Sequence, residues 1–161
     1  MITEMVDGAV FVRPAPGFAQ VDAVLALAGT LRSAAPPSLR VLTAPFGVRL
    51  GRRTRLRPDL LVARYADLLR DELAAPPLLV VDVVGAGGEL AALRRLAYGR
   101  HRVACCWVVE PEAPALTALE LDEDGDYRTV AEVVGAERFA ARRPFPVSVC
   151  PLELVAGLRP C

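Results

Sequence analysis

The chain has 161 residues, 53% of them apolar and 24% charged, and its 19 basic and 19 acidic side chains cancel to zero net charge. That length supports one core burying roughly 68–70% of the unfolded surface, so a single domain over residues 1–161 is expected without disulfide or metal staples. Zero net charge excludes a global field toward nucleic acid or membrane, and any polyanion site has to be local. Every basic residue is arginine and lysine is absent, which with the abundant Ala, Pro and Gly reads as a high-GC coding bias. No secretory leader is recognisable and no apolar run reaches the ~18 residues that span a bilayer, so the expectation is a cytoplasmic protein without a membrane partner.

Along the chain, Ala9 to Arg13 reads as a short strand. A helix follows over 17–35, where Phe18, Val21, Leu25, Ala28 and Leu31 recur at helical spacing, and Pro36 and Pro37 end it. Arg40 to Ala44 and Gly47 to Leu50 are short strands around a break at Pro45, and the basic tip Gly51-Arg52-Arg53-Thr54-Arg55 leads into Pro58-Asp59. Asp59 stands at the mouth of the apolar run Leu60-Leu61-Val62-Ala63. Residues 65–75 read as a helix or an irregular connection closed by Pro76 and Pro77. Leu78 to Val84 is apolar throughout except for Asp82, the pattern of a strand covered on both faces. A glycine-rich turn, 85–88, precedes a helix over about 89–99. Val103 to Glu110 is another buried strand, and Ala115 to Leu121 with Tyr127 to Val134 form a hairpin around an acidic tip too short for an EF-hand. Val147 to Val149 and a helical turn over 151–156 close an α/β domain with a central mixed sheet flanked by helices.

Two strands that each carry one carboxylate amid Leu and Val suggest an oxygen-ligand site for a divalent cation, with Asp59 and Asp82 as ligands. They are expected on neighbouring strands joined by a crossover long enough for a helix. On a helical wheel Arg94 borders the Leu90, Leu93 and Ala97 face while Arg95 lies opposite, so Arg94 can lean toward Asp82 or Asp59 as an ion pair. Arg52, Arg53 and Arg55 are the candidate nucleic-acid contacts, as a tip next to Asp59, against a plain solvated turn. The 85–88 loop lacks the Gly-Lys-Ser/Thr ending of a phosphate cradle. Cys105, Cys106, Cys150 and Cys161 have no metal-ligand spacing, since adjacent Cys105 and Cys106 point to opposite faces of a strand. His101 is the lone histidine and sits in an arginine-flanked turn.

Met5-Val6-Asp7-Gly8, Arg13-Pro14-Ala15-Pro16, the run from Val41 to Leu50, Arg57-Pro58-Asp59-Leu60-Leu61-Val62 and Trp107-Val108-Val109-Glu110-Pro111-Glu112 together resemble the Uma-type restriction-endonuclease family of the PD-(D/E)xK nuclease superfamily. The likeness covers nearly the whole chain. It implies a restriction-endonuclease-like fold, Mg²⁺-dependent DNA cleavage in intact members, and a homodimer. Under it Asp59 matches the family's Pro-Asp acid, Asp82 stands where the family has glutamate, and Arg94 stands where it has lysine. Ala9 takes the place of a glutamate after the early Asp-Gly, and Gln20 that of a histidine near the first helix. Catalytic Asp59, Asp82 and Arg94 would then form a degenerate centre, leaving three readings open: a weak or inactive nuclease-like protein, an active Mg²⁺ endonuclease with an Asp/Asp/Arg site, and a structural partner-binding module.

Overall fold

The computed structural model describes residues 1–85 and 89–156; most of the glycine-rich turn and Cys161 lie outside them. Among the described residues thirteen strands and three α-helices follow one another. The central sheet has six strands in the order β11-β10-β9-β8-β6-β3, made of β3 (Leu39–Thr43), β6 (Leu60–Arg64), β8 (Leu79–Val83), β9 (Cys105–Glu110), β10 (Ala115–Leu121) and β11 (Tyr127–Val134). It is mixed, with β8 parallel to β9 and every other neighbouring pair antiparallel. The strands β6 and β8 read as unbroken apolar runs because both their faces are covered.

One face of that sheet offers Leu60, Val62, Leu79, Val81, Cys105 and Trp107 to the helix α1 (Phe18–Ala34), with α3 (Pro151–Leu154) and the small hairpin β12 (Phe139–Ala141) and β13 (Val147–Val149) alongside. The other face offers Leu61, Ala63, Val80, Cys106 and Leu119 to α2 (Glu89–Arg100) and to a second, five-stranded sheet. That sheet runs β2-β1-β5-β4-β7, from β1 (Ile2–Val6), β2 (Ala9–Arg13), β4 (Gly47–Gly51), β5 (Thr54–Leu56) and β7 (Glu72–Leu73). Val6, Val48, Leu56 and Leu73 are its inward residues and pack with Tyr98 and Ala97 of α2. No helix among the described residues is long and apolar enough to cross a membrane.

Two expectations from the sequence are corrected here. The connection from β6 to β8 carries a 3₁₀ turn (Tyr65–Asp67) and β7, and the two strands run antiparallel rather than being joined by a helical crossover. The buried side of α1 is Ala23, Leu27 and Leu31, while Phe18, Val21 and Leu25 face outward. The helix is apolar nearly all round, so periodicity does not choose a face; the stripe carrying the small Ala23 lets the helix approach the sheet.

Candidate functional site

Asp59 immediately precedes β6, and Leu60 lies opposite Val81 of β8, so the register carried one residue further sets Asp59 opposite Asp82. Asp82 alternates with Val81 and Val83, and Asp59 with Leu60, so both carboxylates leave the sheet on the side of α2 and the small sheet. The expected pairing of the two acids on neighbouring strands holds, through antiparallel strands. Asp59 is anchored where the ladder ends: its Oδ2 accepts a 2.7 Å hydrogen bond from the Val83 N–H, while its backbone carbonyl accepts from Ala44 N.

A third carboxylate completes the cluster. Glu4, in the inward phase of β1, is 2% exposed, and its Oε1 accepts from the Arg57 N–H at 2.7 Å. Arg13, inward on β2, places Nε 3.0 Å from Glu4 Oε2 and Nη1 3.7 Å from Asp59 Oδ1. Arg94, 3% exposed on α2, places Nη2 2.9 Å from Asp82 Oδ1 and 3.4 Å from Glu4 Oε1. The five charges alternate in sign, Asp59, Arg13, Glu4, Arg94, Asp82, across two sheets and one helix. The backbone carbonyl of Arg57 accepts from Arg13 Nη2 at 2.7 Å and from Arg94 Nη2 at 3.3 Å, and Arg94 Nη2 also donates to the Tyr98 hydroxyl at 3.0 Å. One guanidinium nitrogen is thus ringed by oxygens of Asp82, Glu4, Arg57 and Tyr98.

The electrostatics follow from burial. Desolvation pushes the Asp82 carboxyl up to about 6 from the ordinary 3.8, even though Arg94 pulls the other way. Burial also works against the charge on Arg94, but Asp82, Tyr98, Glu4 and Asp59 outweigh it and raise its pKa, so the guanidinium stays protonated. Tyr98 is held neutral by its own burial, its pKa raised well above the usual phenol range. Asp82 Oδ1 and Glu4 Oε2 meet their arginines as close ion pairs without well-aligned hydrogen bonds, and Arg94 Nε makes no hydrogen bond among the described residues. Among the described residues no group of three or more His, Cys, Asp or Glu side chains is gathered so as to hold a metal ion. The guanidinium nitrogens of Arg94 and Arg13 face the inner carboxylate oxygens, so as the side chains stand this donor set does not fit a divalent cation.

A cleft of about 350 Å³ opens above the cluster, lined by Arg13, Pro16, Gln20, Asp59, Leu90 and Arg94 among others. Gln20 secures its rim: Oε1 accepts from Gly17 N at 2.8 Å, and Nε2 donates to the Val83 carbonyl at 3.1 Å. Ala9 is exposed on β2 and takes no part in the cluster, whose third carboxylate comes from Glu4, before the Asp7-Gly8 turn. Arg52, Arg53 and Arg55 do not form a tip next to Asp59. The turn after β4 sits at the far end of β5, where Arg53 accepts from Gly8 N through its carbonyl and Gly51 approaches His101. The lone histidine is remote from the carboxylates, and the buried thiols of Cys105 and Cys106 are pushed up to about 11 and about 12 by desolvation, so they stay protonated.

Comparison with known proteins agrees with this architecture. A solved structure from Anabaena variabilis, described as "a putative nuclease belonging to DUF820", superposes with a TM-score of 0.78 at 13% identity, covering 98% of this chain and 91% of that one. At that identity the likeness is one of fold. No curated protein matches the chain. The family model described as "Uma2: Putative restriction endonuclease" matches residues 2–153, and the chain belongs to that family.

Proposed function

We infer that this chain is a nuclease-fold protein whose hydrolytic centre is closed by arginine, so that phosphodiester cleavage is weak or absent and the protein works by binding. The supporting observation is the position of Arg94, with Nη2 2.9 Å from Asp82 and 3.4 Å from Glu4. Metal-dependent hydrolysis of a phosphodiester takes carboxylates free to hold Mg²⁺ and an amine that positions or deprotonates water. Asp59 and Asp82 are the residues that would hold the ion, and Asp82 is engaged with a guanidinium instead. Arginine keeps its proton throughout the accessible pH range and offers no base, although it still neutralises phosphoryl charge. Tyr98, buried and neutral, is no substitute.

A second reading, an active Mg²⁺ endonuclease with an Asp/Asp/Arg site, is favoured by one feature: Asp59 and Asp82 share a sheet face beneath an open cleft. It requires Arg94 to leave both Asp82 and Glu4. Incubating purified protein with supercoiled plasmid in Mg²⁺ or Mn²⁺ separates the two. The first reading expects no nicking above that of an Asp59→Ala control; metal-dependent cutting that Asp59→Ala abolishes establishes the second.

A further inference from the structure

The small sheet turns one face to the charge cluster and the other to solvent, and the outward face has a composition of its own. Thr54 and Leu56 point inward from β5, so Arg55 points outward with the exposed Arg57 two residues on, while the exposed Arg53, in the turn before β5, lays its side chain against Gly8 of the β1–β2 turn. Across the sheet Arg55 pairs with Arg49 of β4 on one side and with Met5 of β1 on the other. Met5 in turn lies opposite Val10, and Thr3 opposite Val12, with Val10 64% and Val12 54% exposed. A row of arginines is therefore bordered along one side by an apolar strip. Arg55 and Arg57 line the same groove of about 330 Å³ with Thr3, Met5 and Val10. Asp71 and Glu72 close its far edge, where Glu72 pairs with Arg49 at 3.2 Å.

We propose that this outward face binds single-stranded nucleic acid, its phosphates tracking Arg53, Arg55, Arg57 and Arg49 and its bases lying over Met5, Val10 and Val12. Alternate residues of a strand repeat every ~6.7 Å, a spacing commensurate with successive phosphates of one polynucleotide strand. The face carries no aromatic ring, so base stacking contributes little, and binding is indifferent to sequence and strongly salt-dependent. The site needs no metal and lies across the small sheet from the carboxylates. The inference extends the reading of the chain as a binding protein, but its test does not depend on whether the carboxylate cluster can cut.

Fluorescence anisotropy of a labelled mixed-sequence oligonucleotide, measured in EDTA so that no metal-dependent cleavage can occur, reads the proposal directly. With four phosphates engaged at about 0.7 counterion each, affinity falls about fifty-fold between about 50 and 200 mM salt; with Arg53→Gln, Arg55→Gln and Arg57→Gln combined it falls only about threefold, from an already weaker start. Val12→Glu, a single change on the same face, weakens binding several-fold and serves if the triple variant melts early. Arg32→Gln, Arg142→Gln and Arg143→Gln remove three exposed charges from α1 and from the segment after β12, and leave affinity within twofold of wild type. Equal weakening by that control set, duplex DNA binding as tightly as the single strand, or displacement by polyglutamate at equal charge overturns the assignment, as does absence of binding at low salt.

Discussion

Replacing Arg94 by methionine tests whether the alternating charges act as one unit. Methionine keeps most of the buried volume and removes the charge, leaving Asp82 and Glu4, at 4% and 2% exposure, without the guanidinium that lies between them. Removing one partner of a buried ion pair costs about 3–5 kcal/mol. The pH dependence gives the sharper signature. In the wild type the folded-state pKa of Asp82 is raised to about 6 from 3.8, so the folded state binds a proton that the unfolded state has lost, and stability falls as pH rises through roughly 4 to 6. The span is worth about 3 kcal/mol at 1.36 kcal/mol per pH unit. Without Arg94, which pulls that pKa down, the window extends upward in pH and the loss deepens. Urea unfolding of wild type and Arg94→Met at pH 5 and pH 8 is therefore expected to show a destabilisation several-fold larger at pH 8 than at pH 5. Adding Asp82→Asn recovers a large part of the pH 8 loss. A cost below about 1 kcal/mol at pH 8, or one equal at the two pH values, refutes the linked-charge argument.

Asp82→Asn alone, in the presence of Arg94, flattens the stability profile between about pH 4 and 6, measured by the same denaturant titrations. Tyr98→Phe removes the hydroxyl that accepts from Arg94 Nη2 and lowers stability by about 1.5–3 kcal/mol, read as a shift in urea midpoint at constant m-value. Leu27→Ala on the buried stripe of α1 costs about 2–5 kcal/mol, whereas Leu25→Ser on the outward stripe changes stability by less than about 0.5 kcal/mol; the reverse order would place the wrong face of α1 on the sheet. Cys105 and Cys106, buried with raised pKa values, react with a neutral-pH thiol reagent only at the rate of unfolding, so native-state labelling within minutes would contradict their placement.

The middle of the central sheet was readable from the chain because β6, β8 and β9 are covered on both faces. A run such as Leu79-Val80-Val81-Asp82-Val83 has no polar phase, and a lone carboxylate inside it announces a partner. The hairpin from β10 to β11 was equally plain, its tip fixed by Asp122, whose Oδ1 accepts from the Asp124 and Asp126 N–H groups. The small sheet was not readable as a unit. The strands β5 and β7 have three and two residues, too few to show alternation, and β7 joins β4 from a segment that reads as irregular connection. Glu4 was missed for the same reason: its signal is its phase, inward with Val6 while Thr3 is exposed, and that phase has meaning only once residues 2–6 are recognised as a strand. Arg13 stood in a recognised motif without a role, since nothing local to β2 reveals that it reaches Glu4 on one side and Asp59 on the other.

That placement explains how a chain without lysine supports so many carboxylates beneath one cleft. The planar guanidinium of Arg94 reaches Asp82, Glu4, the Arg57 carbonyl and the Tyr98 hydroxyl from a single terminal nitrogen, with that nitrogen set between β1, β5, β8 and α2. Arg13 instead spreads its contacts over the whole fork, with Nε at Glu4, Nη1 at Asp59 and Nη2 donating to the Arg57 carbonyl. The Arg57 peptide is the common point, donating its N–H to Glu4 and offering its carbonyl to both arginines. Five alternating charges around one peptide bind the small sheet and α2 to the central sheet where hydrophobic packing gives way to the cleft. Loosening Arg94 to admit a metal ion would therefore disturb the junction between the layers, and that structural cost supports the proposed reading of this site.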